Sequence, residues 1–84
     1  MANEQVKEQV RTYILKEFLP GEDPEQLTDS LPLITGRILD SLASLRLVAF
    51  LEETFGIEFA AHEVGPQSLD NLNLIAEFVE SKRR

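Results

Sequence analysis

Residues 40–56, DSLASLRLVAFLEETFG, restrict the fold more than any other stretch: the run has a start signal, helical spacing and a stop. Asp40 and Ser41 are residue types that favour helix starts, and Gly56 follows the last apolar position as a helix terminator would. Between them the apolar side chains recur at helical spacing instead of alternating as in a strand. On a wheel at about 100° per residue, with Ser41 at zero, they fall into separate stripes. Leu47, Val48, Leu51 and Phe55 lie between roughly 240° and 340°. Leu42, Leu45 and Ala49 lie between roughly 40° and 100°. A helix in a small domain needs one apolar face for its core. The second stripe, next to Ser41, is predicted to face outward and serve another purpose.

The flanking sequence reads as support for this helix. Residues 3–18 carry Val6, Val10, Tyr13, Ile14 and Phe18 at helical spacing, with Glu4, Lys7, Glu8, Arg11 and Lys16 between them, and Leu19-Pro20-Gly21 stops the run. Tyr13 is expected in the core with its hydroxyl near the surface. Residues 20–39 form a long connection in which Leu27, Leu31, Leu33 and Ile34 are expected to pin the loop across the helices. After Gly56, Ile57 and Phe59 alternate with Glu58 and should point into the core. Residues 60–64 can form a short helical turn ended by Gly65-Pro66. Ser68 is predicted to cap a last helix running through Glu80, with Leu69, Leu72, Ile75, Phe78 and Val79 as its buried face. The expected fold is all-α: one domain over residues 1–84, a small bundle of three main helices plus one short helix, with a long first loop.

Composition narrows the chemistry. A hydrophobic content of 43% supports a small core. With no cysteine there is no disulfide framework, thiol nucleophile or thiolate metal site. The net charge of −7 argues against a nucleic-acid binder, which needs a basic face, and suits a protein that meets basic patches on enzymes. Lys82-Arg83-Arg84 reads as a solvated helix end. Glu22-Asp23-Pro24-Glu25 lacks the alternating ligands of a calcium loop. His62, the only histidine, has no cysteine beside which to build a metal site and is expected at the surface. No apolar run approaches a membrane span and no signal-peptide pattern opens the chain. A cytoplasmic monomer without membrane or nucleic-acid partners is expected.

Ser41 is the residue on which chemistry is expected. Amides at a helix N-terminus lack intrahelical partners and carry partial positive charge, so a phosphodiester is well tolerated there. Asp40 suits the N-cap, its carboxylate accepting from a first-turn amide and leaving the Ser41 hydroxyl free. A second Asp-Ser-Leu occurs at Asp29-Ser30-Leu31. There, Pro32 disfavours helical geometry at Leu31 and Gly36 breaks the following run, so Ser30 does not open a helix.

Asp40-Ser41-Leu42, the apolar helix, and Leu51-Glu52-Glu53-Thr54-Phe55-Gly56-Ile57-Glu58-Phe59 together resemble the acyl and peptidyl carrier proteins. The likeness covers nearly the whole chain. It implies a covalent 4′-phosphopantetheine arm on Ser41, whose thiol carries acyl or aminoacyl cargo as a thioester, and no catalysis by the protein itself. It further implies recognition of Asp40 and Leu42 by a phosphopantetheinyl transferase, with Asp40 helping to position metal and serine. Other implied partners are an adenylating, acyl- or aminoacyl-activating enzyme and downstream condensing or tailoring enzymes, meeting Leu39, Leu42, Leu45, Arg46, Ala49 and Glu53. Many carriers have glycine two residues before the serine; here Leu39 stands there and Gly36 lies further back. Carriers of fatty-acid synthesis are acidic along this helix, whereas this chain has Arg46, with acid returning only at Glu52 and Glu53. A free-standing carrier of a specialised peptide- or polyketide-type pathway is therefore expected. The alternatives are a carrier of primary fatty-acid synthesis and an unmodified helical adaptor whose second stripe docks a partner helix.

Overall fold

The computed structural model describes residues 2–83. Its elements in chain order are α1 (Ala2–Glu17), α2 (Ser41–Phe55), α3 (Pro66–Leu69) and α4 (Leu72–Arg83), with single 3₁₀ turns at Pro24–Gln26 and Ala61–Glu63. Among the described residues there is no strand. The architecture is the expected all-α bundle of three main helices plus one short helix.

Each long helix buries most of the stripe its spacing defines, although Phe55 of α2 and Phe78 of α4, expected on those faces, are only partly buried. From α1, Val6, Val10 and Ile14 are buried; from α2, Leu47, Val48 and Leu51; from α4, Leu72, Ile75, Ala76 and Val79. These side chains form one cluster, and α1 packs along α4. Full burial of such a side chain stabilises by about 1.5–3 kcal/mol, so this cluster dominates the favourable side of folding. Tyr13 and Phe18 are only partly buried. The Tyr13 ring stacks on Phe50 of α2 with centroids 4.0 Å apart, and its hydroxyl donates to the Arg46 carbonyl at 3.3 Å. The hydroxyl thus sits at the rim of the packed face.

The long connection is held down by both apolar and polar contacts. Leu27 and Leu33 are fully buried, while Leu31 and Ile34 pack against the core from its edge. The acidic stretch acts locally, with Asp23 Oδ1 accepting from the Glu25 amide at 2.9 Å to cap the first 3₁₀ turn. Asp29 ties the loop to two helices. Its carboxylate accepts from Lys7 Nζ at 3.1 Å and from Arg11 Nη2 at 2.5 Å, and its carbonyl accepts from the Asn73 amide at 3.2 Å. Hydrogen bonds to Glu4 and Asp29 raise the pKa of the Lys7 ammonium.

The loop ends in a tight turn before α2. The Arg37 amide donates to the Ile34 carbonyl at 3.0 Å, and the Ile38 amide reaches back to the Leu33 carbonyl at 2.9 Å. This is the paired pattern that commonly closes helices, and it needs one residue in the left-handed region. Arg37 occupies that position at φ 64°, where an L-residue other than glycine sits at a cost of roughly 1–2 kcal/mol. Gly36, one residue earlier, answers a different need: a Cβ there would collide with the Pro32 carbonyl.

The C-terminal third departs from the expected boundaries. The short turn expected within residues 60–64 is present as a 3₁₀ turn at Ala61–Glu63, but Pro66, instead of ending structure, opens α3 at its first position. Ser68 does not cap the last helix. It is buried inside α3, and its hydroxyl donates to the Glu63 and Gly65 carbonyls. The cap of α4 is Asn71, whose Oδ1 accepts from the Leu74 amide at 2.8 Å. Ile57 is buried as expected, and Phe59 is partly buried against Phe78 with centroids 4.7 Å apart. Glu52 secures this crossing by accepting from the Phe59 amide at 2.8 Å.

Candidate functional site

The start of α2 is built by Asp40. Its backbone is extended, its Oδ1 accepts from the Ala43 amide at 2.8 Å, and its carbonyl accepts from the Ser44 amide at 2.9 Å. Ser44 adds a bond that the stripe pattern does not announce, donating its hydroxyl to the same carbonyl at 2.9 Å. It is a polar residue on the buried side of α2, and its wheel position near 300°, within the core stripe, is the signal that places it there. At the other end, Gly56 adopts φ 68° and closes the helix.

Ser41 is the first residue of α2 and is exposed. Among the described residues its hydroxyl makes no side-chain hydrogen bond, because the cap belongs to Asp40. Beside it the second stripe lies open: Leu42 is 61% exposed and Leu45 58%, the large apolar side chains that stand out on this surface. Arg46, Ala49 and Glu53 are exposed along the same helix, and with Tyr13, Phe50 and Thr54 they line a shallow hollow. Arg46 takes part in none of the ion pairs among the described residues.

One expected interface residue lies elsewhere. Leu39 is 2% exposed and belongs to the core, so it offers no side chain to a partner. Its amide donates to the Leu33 carbonyl at 2.8 Å, which turns the side chain inward just before the helix begins. Ser30 lies in a turn and opens no helix; its neighbour Asp29 is engaged by Lys7 and Arg11. His62 is exposed on the second 3₁₀ turn, where its carbonyl accepts from Gln67 Nε2 at 2.9 Å.

A residue without an obvious local signal ties down the loop that precedes α2. Asp70, between α3 and α4, accepts with Oδ1 from the Ile34 amide at 2.9 Å and from the Thr35 amide at 2.8 Å. Its Oδ2 accepts from the Thr35 hydroxyl at 2.8 Å, and its carbonyl accepts from the Leu33 amide at 2.5 Å. These bonds, led by that of the Thr35 amide, hold its carboxyl below the usual carboxylate pKa despite partial desolvation.

Chemically, the helix start presents an unencumbered primary hydroxyl, first-turn amides and an apolar shoulder. That set suits attachment of a phosphodiester followed by contact with an apolar protein surface. No helix among the described residues is long and apolar enough to cross a membrane. Compared with known proteins, the chain matches no family model and no curated sequence.

Proposed function

We propose that this chain is a phosphopantetheine-dependent carrier protein and that Ser41 bears the arm. The observation that carries the reading is an exposed serine at the first position of a capped helix, beside an uncovered pair of leucines. The residues fit the group: Asp40 satisfies the Ala43 amide, which leaves the serine hydroxyl without an intramolecular claim, and the helix terminus favours the phosphate charge. In the attachment step the Ser41 oxygen forms a bond to the phosphorus of coenzyme A. The pyrophosphate P–O bond breaks, adenosine 3′,5′-bisphosphate leaves, and the serine proton passes to a base of the transferase. The arm supplies a thiol that holds acyl or aminoacyl cargo as a thioester. The protein supplies the tether and the surface that partner enzymes recognise.

Leu42, Leu45, Ala49, Arg46 and Glu53 form that surface in this reading, and an adenylating enzyme loads the holo-protein. Exposed Arg46 supports service in a specialised pathway, since a cation there disfavours basic partner patches. Incubation with coenzyme A and a broad-specificity phosphopantetheinyl transferase should raise the intact mass by one phosphopantetheine, with peptide mapping placing it on Ser41. Ser41→Ala should fold and remain unmodified. Modification on Ser30 would defeat the assignment to Ser41, and none with several transferases would defeat the carrier reading and favour the unmodified helical adaptor.

A further inference from the structure

We infer that Asp70 is a positioning residue for Ser41: it clamps the turn that leads into α2 and so fixes where the helix begins. The inference rests on the carrier reading for its functional consequence but not for its structural one. A continuous hydrogen-bonded path joins the two residues. The Asp70 carboxylate holds the Ile34 and Thr35 amides and the Thr35 hydroxyl, and its main-chain carbonyl, which side-chain substitution leaves in place, holds the Leu33 amide. The Leu33 carbonyl, on the far side of that same residue, accepts from both Ile38 and Leu39. Leu39 leads directly to Asp40, whose side chain and carbonyl organise Ala43 and Ser44 in the first turn of α2.

The turn would not hold itself equally well. Arg37 occupies a left-handed conformation that its Cβ disfavours, and Gly36 is pressed against the Pro32 carbonyl. Buried Leu33 and Leu39 anchor the two ends, but the residues between them are exposed or only partly buried. Apart from the turn's own bonds, the polar ties of residues 33–35 run to Asp70. A carboxylate that accepts two amides and a hydroxyl at once is a strong local organiser, since hydrogen bonds to an ionised acceptor are shorter and stronger than neutral ones. The clamp therefore acts against a disfavoured backbone, which is what a device that sets a position requires.

The test compares wild type with Asp70→Asn, Asp70→Ala, Thr35→Val and the double variant Asp70→Ala/Arg37→Gly. Amide hydrogen exchange is followed residue by residue, and phosphopantetheine attachment is followed with coenzyme A and a transferase. In Asp70→Ala, exchange should accelerate about tenfold or more at Ile34 and Thr35, and also at Ala43 and Ser44, with much smaller changes at Val10 and Ile14. Attachment should slow through a raised KM for the carrier, and Arg37→Gly should restore part of both effects by relieving the turn. Asp70→Asn, which keeps one acceptor oxygen, should lie between wild type and alanine, and Thr35→Val should show the same pattern more weakly if Asp70→Ala does not fold. Acceleration confined to residues 33–35, with Ala43 and Ser44 unchanged, would overturn the inference. So would normal attachment kinetics in a variant whose turn is loosened. If wild-type protein accepts no arm, the carrier reading fails, while the exchange pattern still decides whether the clamp reaches the helix start.

Discussion

At the scale of single residues, carboxylates carry much of the organisation around Ser41. Asp40 caps α2 with one oxygen, and asparagine can supply an equivalent acceptor. Asp40→Asn should therefore change stability by less than about 1 kcal/mol in denaturant unfolding, yet, in the carrier reading, slow phosphopantetheine attachment markedly. Parallel losses in both measurements would make Asp40 a cap and nothing more. Asp70 carries a pH dependence. Its folded pKa lies below the unfolded value near 3.8, so the stability it contributes is fully present above that value. That contribution disappears as pH falls through the depressed folded pKa. Asp70→Asn should accordingly flatten the acid limb of the stability curve below about pH 4, and a limb of unchanged slope would show that other carboxylates dominate it. Nothing in the local pattern around Asp70 predicts its contacts, because its partners lie at residues 33–35, across the fold. The assignment of Ser68 as a cap fails for a related reason. Its hydroxyl is captured by carbonyls at residues 63 and 65, which leaves Asn71 to start α4.

At the scale of elements, α2 is the most legible part of the chain. Its stripes come from 3.6-residue periodicity, a property of nearest neighbours on one helix, and the wheel separates buried Leu47 and Leu51 from exposed Leu42 and Leu45. The same logic predicts distinct mutational costs. Leu51→Ala should destabilise by about 2–5 kcal/mol, whereas Leu45→Ala, from a mostly exposed site, should cost less than about 0.5 kcal/mol. Thermal or denaturant unfolding measures both, and similar losses would mean that the second stripe is covered. In the carrier reading, Leu45→Ala instead weakens a partner that grips α2. Loop positions are less legible. Leu39 stands one residue before a helix cap and two before Ser41, which suggests a surface approach, but the Leu33 carbonyl draws its amide inward and the side chain enters the core.

At the scale of the whole molecule, the charge of −7 sits on a chain whose candidate docking helix presents an exposed arginine. Arg46 joins no ion pair among the described residues, so reversing its sign changes the local field without breaking a bridge. Arg46→Glu should leave the melting temperature nearly unchanged. In the carrier reading, it should raise recognition of the holo-protein by fatty-acid enzymes severalfold at low salt and lower loading by the activating enzyme, both effects shrinking as salt screens the field. Wild-type protein that already serves fatty-acid elongation efficiently, indifferent to the reversal, would exclude a specialised pathway.

The two Asp-Ser-Leu tripeptides are equivalent as text and unlike in the folded chain. In one, the aspartate is occupied by Lys7 and Arg11 and the serine lies in a turn; in the other, the aspartate caps a helix and leaves its serine free. An enzyme that read the linear string would meet two addresses on an unfolded chain and one on a native chain. In the carrier reading folding thereby acts as an editor, and a singly tagged population would also report that the molecules within it had folded before they were tagged.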